Sequence, residues 1–150
     1  MTTAFTVAEL VPHSGKMSLL DNIIAYGEDW LQAQVFITAD SMFAEPQGVP
    51  AWIGLEYMAQ TIGAFSGLQE RLSDQPPKLG FLVGTRKYLC SAAYFPLGQT
   101  LTIKVQRELQ ADNGLGVFSC SLESQDISAT ARLNVFQPED GKQFLKDAML

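Results

Sequence analysis

The 150-residue chain contains one histidine, His13, and two cysteines, Cys90 and Cys120, with no CxxC spacing. So few ligands exclude a histidine-rich zinc or iron centre and a disulfide framework. Each cysteine stands in a strand-like run and reads as a buried reduced thiol, because free cysteine behaves as a small hydrophobe. Basic residues are also scarce. Ten stand against sixteen acidic ones, a net charge of −6, and the pI near 4.6 lacks the broad positive footprint that nucleic-acid binding needs. The imbalance is uneven: residues 1–75 carry two basic and nine acidic side chains, residues 76–150 eight and seven. An anionic partner is therefore expected to meet the second half. The segment Met1–Leu10 has neither a basic n-region nor an apolar core, so no signal peptide or lipidation motif is read there, and a cytoplasmic, reducing setting is expected. A Walker loop, GxGxxG and a serine nucleophile elbow are all missing, and neither cysteine has a basic neighbour in sequence to activate it. No cofactor or metal is indicated.

What is present is the composition of a single soluble domain, 47% apolar and 17% charged, without repeats or low-complexity tracts. The one long apolar stretch, PAWIGLEYMAQTIGAFSGL from Pro50 to Leu68, contains Glu56, Gln60 and three glycines and ends in polar sequence. It reads as a helix buried in protein rather than a membrane span. Pro50 suits the first helical position, Ser73 and Asp74 loosen the end, and Pro76-Pro77 stops it, so the helix is predicted over about 51–72. Strand-like runs cover 18–26, 30–38, 79–88, 100–110, 116–124 and 127–135, separated by turn signals at 27–29, 96–99, 111–114 and 124–126. The last three have short connections and predict an antiparallel meander. One long helix over an antiparallel sheet is an α+β arrangement. Residues 137–150 read as a polar tail with a terminal helical turn.

Glu56 is the sole acid between Ala51 and Leu68, where the helix is apolar on nearly every side, and a buried carboxylate is costly unless paired. It could stabilise the helix N-terminus, or face solvent in a narrow stripe with Gln60. With the helix opening at Pro50 or Ala51, however, Glu56 lies beyond the first turn and the stripe runs into Gly63 and Gly67. The chemical alternative is a general acid. His13, in the Pro-flanked loop VPHSGKM, is either a lone surface histidine or the base that partners Glu56. At the helix start, the N–H groups of Ala51 and Trp52 lack intrahelical partners and could polarise a carbonyl oxygen, as any helix terminus can. Gln60, one turn after Glu56, could orient it, contact substrate, or simply pack.

Two segments carry a resemblance. LVPHSGKMSLLDNIIAY is similar to the opening L-P-H-R-x-P-x-L-L-x-D segment of the hotdog-fold β-hydroxyacyl-acyl carrier protein dehydratases. VPAWIGLEYMAQTIGAFSG is similar to that family's P-G-x-x-x-x-E-A-M-A-Q helix, and the E-x-M-A-Q match is fairly specific. The likeness spans roughly residues 9–136 and is greatest to the small dehydratase branch found with aryl polyene pigment assembly. It implies a hotdog fold, a long central helix wrapped by an antiparallel sheet, and dehydration of a 3-hydroxyacyl thioester by a histidine and an acid fourteen positions later. Glu56 falls on the acid. Met42 falls on the histidine, which is absent, and Ala51 replaces the glycine whose N–H contacts the thioester carbonyl. Either His13, the only histidine, supplies the base from another direction and removes the C2 proton while Glu56 protonates the leaving hydroxyl, with Ala51, Trp52, Gln60 and Met42 against the substrate, or the chain is a hotdog subunit without dehydratase activity. The resemblance also implies an acidic acyl carrier protein as partner, met by Arg71, Lys78, Arg86 and Lys87, and a dimer with itself or with a related dehydratase. A hotdog acyl thioesterase in which Glu56 activates water, and a non-catalytic subunit that completes a partner's dimer, are the competing functions.

Overall fold

The computed structural model describes residues 6–7, 18–74 and 81–137, except the side chains of 81–83 and 86. Strands β1 (Asn22–Tyr26), β2 (Trp30–Phe36), β4 (Phe81–Cys90), β6 (Thr100–Gln110), β7 (Leu115–Ser124) and β8 (Ile127–Phe136) form one antiparallel sheet in the order β1-β2-β6-β7-β8-β4. Two short strands, β3 (Val49–Pro50) and β5 (Tyr94–Phe95), pair apart from it. A 3₁₀ turn at Ala51–Ile53 leads into the helix α1 (Gly54–Leu72).

Alternation puts one side of each central strand into the core. Leu31, Ala33 and Val35 of β2 lie opposite Val105, Ile103 and Leu101 of β6, and the row continues through Leu122 and Cys120 of β7 to Ala129 and Ala131 of β8. Onto that face α1 lays Met58, Ile62, Ala64, Phe65 and Leu68, all buried. Each of the larger side chains contributes about 1.5–3 kcal/mol by leaving water. The turns use the residues that the sequence offers for them: Gly98 and Gly114 have positive φ, and Gln125-Asp126 joins β7 to β8. The helix ends where Ser73 Oγ donates to the Gln69 carbonyl at 2.6 Å and Asp74 turns left-handed.

Three expectations need correction. Pro50 does not open the α-helix; it pairs with Tyr94, and α1 starts at Gly54 after the 3₁₀ turn. Strand β1 begins at Asn22 rather than Ser18. Cys120 is buried as expected, whereas Cys90, near the end of an edge strand, is only half-buried; both thiols are free. No helix among the described residues is long and apolar enough to cross a membrane. The tail from 138 lies outside the described residues.

Candidate active site

The β3–β5 pairing continues by one more bond, from Ala51 N–H to the Ala93 carbonyl at 2.9 Å. That bond corrects the expectation for Ala51: the strand pairing has already engaged the donor assigned to a substrate carbonyl. From the other side, Tyr88 of β4 donates its hydroxyl to the Ala51 carbonyl at 2.5 Å. This reach is possible because residue 54 is glycine. A Cβ there would lie 2.2 Å from Tyr88 Oη and 3.2 Å from Phe95 Cζ.

Because α1 starts late, Glu56 belongs to its first turn, not beyond it as the sequence suggested. It is half-buried, and its Oε1 accepts from Gln60 Nε2 at 3.2 Å. Gln60 is only 2% exposed, and its own Oε1 accepts from Leu19 N–H at 2.9 Å. The backbone donor fixes the amide, carbonyl toward Leu19 and NH₂ toward Glu56. The structure thus joins Glu56 to Gln60 and to the segment that precedes β1.

Trp52 lies in the 3₁₀ turn at the same helix start. Met42 is half-buried in the loop after β2, and the next residue, Phe43, has φ 69° and packs on Trp52 with ring centroids 5.9 Å apart. Trp52 is 63% exposed and Phe43 49%, so this pair faces outward. A bulky side chain in the left-handed region is a strained choice, costing about 1–3 kcal/mol, and such outliers cluster at functional sites.

Arg71 lies in the last turn of α1, roughly 22 Å along the axis from Glu56 at 1.5 Å per residue. Lys87 is exposed on β4 with φ 54°. His13 and Lys78, and the side chain of Arg86, lie outside the described residues. The sequence reading missed Leu19, Tyr57 and Tyr88. Tyr57 is the large residue at the second place of E-x-M-A-Q, and that size was its only local signal. Burial, aided by the nearby Asp21 charge, raises the Tyr57 pKa; burial, then Cys90, then Tyr57, raises that of Tyr88. Both phenols therefore stay protonated and can act as donors at neutral pH.

The family model of the ApeP-like dehydratases, described as ApeP dehydratase, matches residues 5–146. The chain belongs to this family. Among solved structures, the ApeP-like chain is similar to the dehydratase heterocomplex ApeI:P from Xenorhabdus doucetiae, with TM-score 0.85, 28% identity and coverage of 95% of this chain and 97% of that one. The PaaI protein of the E. coli phenylacetic acid degradation operon matches at TM-score 0.59, 16% identity and 76% and 80% coverage. A thioesterase of Haemophilus influenzae matches at TM-score 0.57, 16% identity and 93% and 96% coverage. No curated protein matches. The two lower likenesses carry the fold alone, and the fold of the ApeP-like chain is the α+β hotdog.

Proposed function

We propose that this member of the dehydratase family converts a 3-hydroxyacyl thioester carried on an acyl carrier protein into the trans-2-enoyl thioester, in fatty acid or aryl polyene biosynthesis in the cytoplasm. The observation that carries this reading is Glu56, a lone acid in the helix E-x-M-A-Q segment, held by a buried amide that is itself fixed by the backbone. His13 takes the C2 proton, the C2–H electron pair becomes the C2=C3 bond, and the C3–O bond breaks. Glu56 gives its proton to the departing hydroxyl, which leaves as water. Met42 and Trp52 border the acyl group. Arg71, Lys78, Arg86 and Lys87 meet the acidic carrier protein, an interaction weakened by salt.

The chain works as a dimer, with itself or with a related dehydratase. Met42, in place of the loop histidine, favours a second reading in which the chain completes the site of such a partner, and the structural relative from Xenorhabdus doucetiae, a dehydratase heterocomplex, supports it. Mass spectrometry of a 3-hydroxyacyl-acyl carrier protein, with the chain alone and mixed with a dehydratase partner, separates the readings. Loss of one water with the chain alone supports the first; loss only in the mixture supports the second. Release of a free thiol without water loss identifies a thioesterase and overturns both. Under the first reading, His13→Ala and Glu56→Gln each lower the dehydration rate by about 10²- to 10⁴-fold with the fold retained. An unchanged rate removes that residue from the mechanism.

A further inference from the structure

Buried polar side chains are nearly always hydrogen-bonded, and an exception calls for a reason. Gln60, Thr61 and Ser124 are buried and all have partners: Gln60 as above, Thr61 on the Tyr57 carbonyl, and Ser124 on Gln99. Tyr57 is the exception. It is 2% exposed, its ring packs against Phe95 at 6.1 Å, and among the described residues its hydroxyl has no hydrogen-bond acceptor. Leaving such a donor unmade costs about 1–3 kcal/mol, more than a tyrosine gains over phenylalanine in an apolar core.

Its place gives the reason. Tyr57 follows Glu56 and lies one turn after Gly54, and Phe95 is the ring that closes on Gly54 beside the Tyr88 hydroxyl. Burial keeps its proton on at neutral pH. At this same corner the backbone donor of Ala51 is committed to Ala93. A thioester carbonyl whose negative charge grows as the C2 proton leaves needs a donor here, in a dry setting where one hydrogen bond counts for most. Tyr57 is a buried donor with nothing to bind until substrate arrives.

We propose that the Tyr57 hydroxyl is the hydrogen-bond donor to the thioester carbonyl oxygen of the bound acyl group, standing in for the backbone N–H that Ala51 has already spent. The assignment rests on the dehydratase reading. The test uses the chain with its dehydratase partner and compares a 3-hydroxyacyl thioester with a thioether analogue that lacks the carbonyl oxygen. For Tyr57→Phe, kcat/KM for the thioester falls roughly 10- to 100-fold, inhibition by the thioether is unchanged, and thermal stability is equal or higher. An unchanged kcat/KM overturns the assignment while the dehydratase reading stands. So does a parallel loss of thioether binding, or a loss of stability at full activity, which marks a hydroxyl that binds an ordered water only. If the wild-type chain and partner dehydrate nothing, both proposals fall together.

Discussion

At Gly54, one hydrogen atom in place of a methyl group lets Tyr88 reach the Ala51 carbonyl. Gly54→Ala forces Tyr88 or the helix start to move and is expected to cost about 1–3 kcal/mol in urea unfolding, as overpacking typically does. Adding Tyr88→Phe removes the atom that stands at 2.2 Å and leaves Cζ at 3.2 Å, so the double variant recovers part of that loss. A double variant no more stable than Gly54→Ala would place the clash elsewhere. Glu56 was legible in the sequence because it is the only charge in the apolar run from Ala51 to Leu68. Tyr57 and Tyr88 were not: a phenol's meaning depends on what faces it, and Ala51 is thirty-seven residues from Tyr88.

The elements themselves were legible wherever local pattern decides them. A long, mainly apolar run with a proline before and a proline pair after predicted the helix to within a turn, and strand-like runs joined by short connections predicted the three-strand meander. The helix start was misplaced because the Val49–Pro50 pairing with Tyr94–Phe95 is a contact between distant segments, and it claims Pro50 before the helix can. Strand β4 holds a second such surprise. The register breaks between Arg86 and Leu89, and Lys87 sits there at φ 54°, a conformation that costs a non-glycine residue about 1–2 kcal/mol. Lys87→Gly is accordingly expected to raise the midpoint of thermal unfolding modestly, although glycine's greater unfolded-state entropy offsets part of the gain. A fall in the midpoint would mean that the lysine side chain makes up for its backbone.

For the molecule as a whole, the large shifts make alkali one destabilising direction. Burial, with a smaller effect of Glu108, pushes the Cys120 thiol up to about 12 from an ordinary 9.0. The folded chain keeps a proton that the unfolded chain releases, so its stability is fully present below pH 9 and declines as pH rises from there toward 12, by up to ~1.4 kcal/mol per pH unit for each such group. Tyr57 and Tyr88, raised from 10.0, join the decline above pH 10. Urea unfolding across this range checks the slope, and Cys120→Ala delays its onset to the tyrosine range.

The bulges have one more effect. The strands at the two borders of the main sheet, β1 and β4, are both irregular, with register shifts at Ile23/Ala25, Leu82/Gly84 and Arg86/Leu89. A border so interrupted cannot template an endless succession of identical strands. Register breaks on both borders thus work against open-ended edge-to-edge growth, and the same kinks that shape the rim guard the chain against fibres.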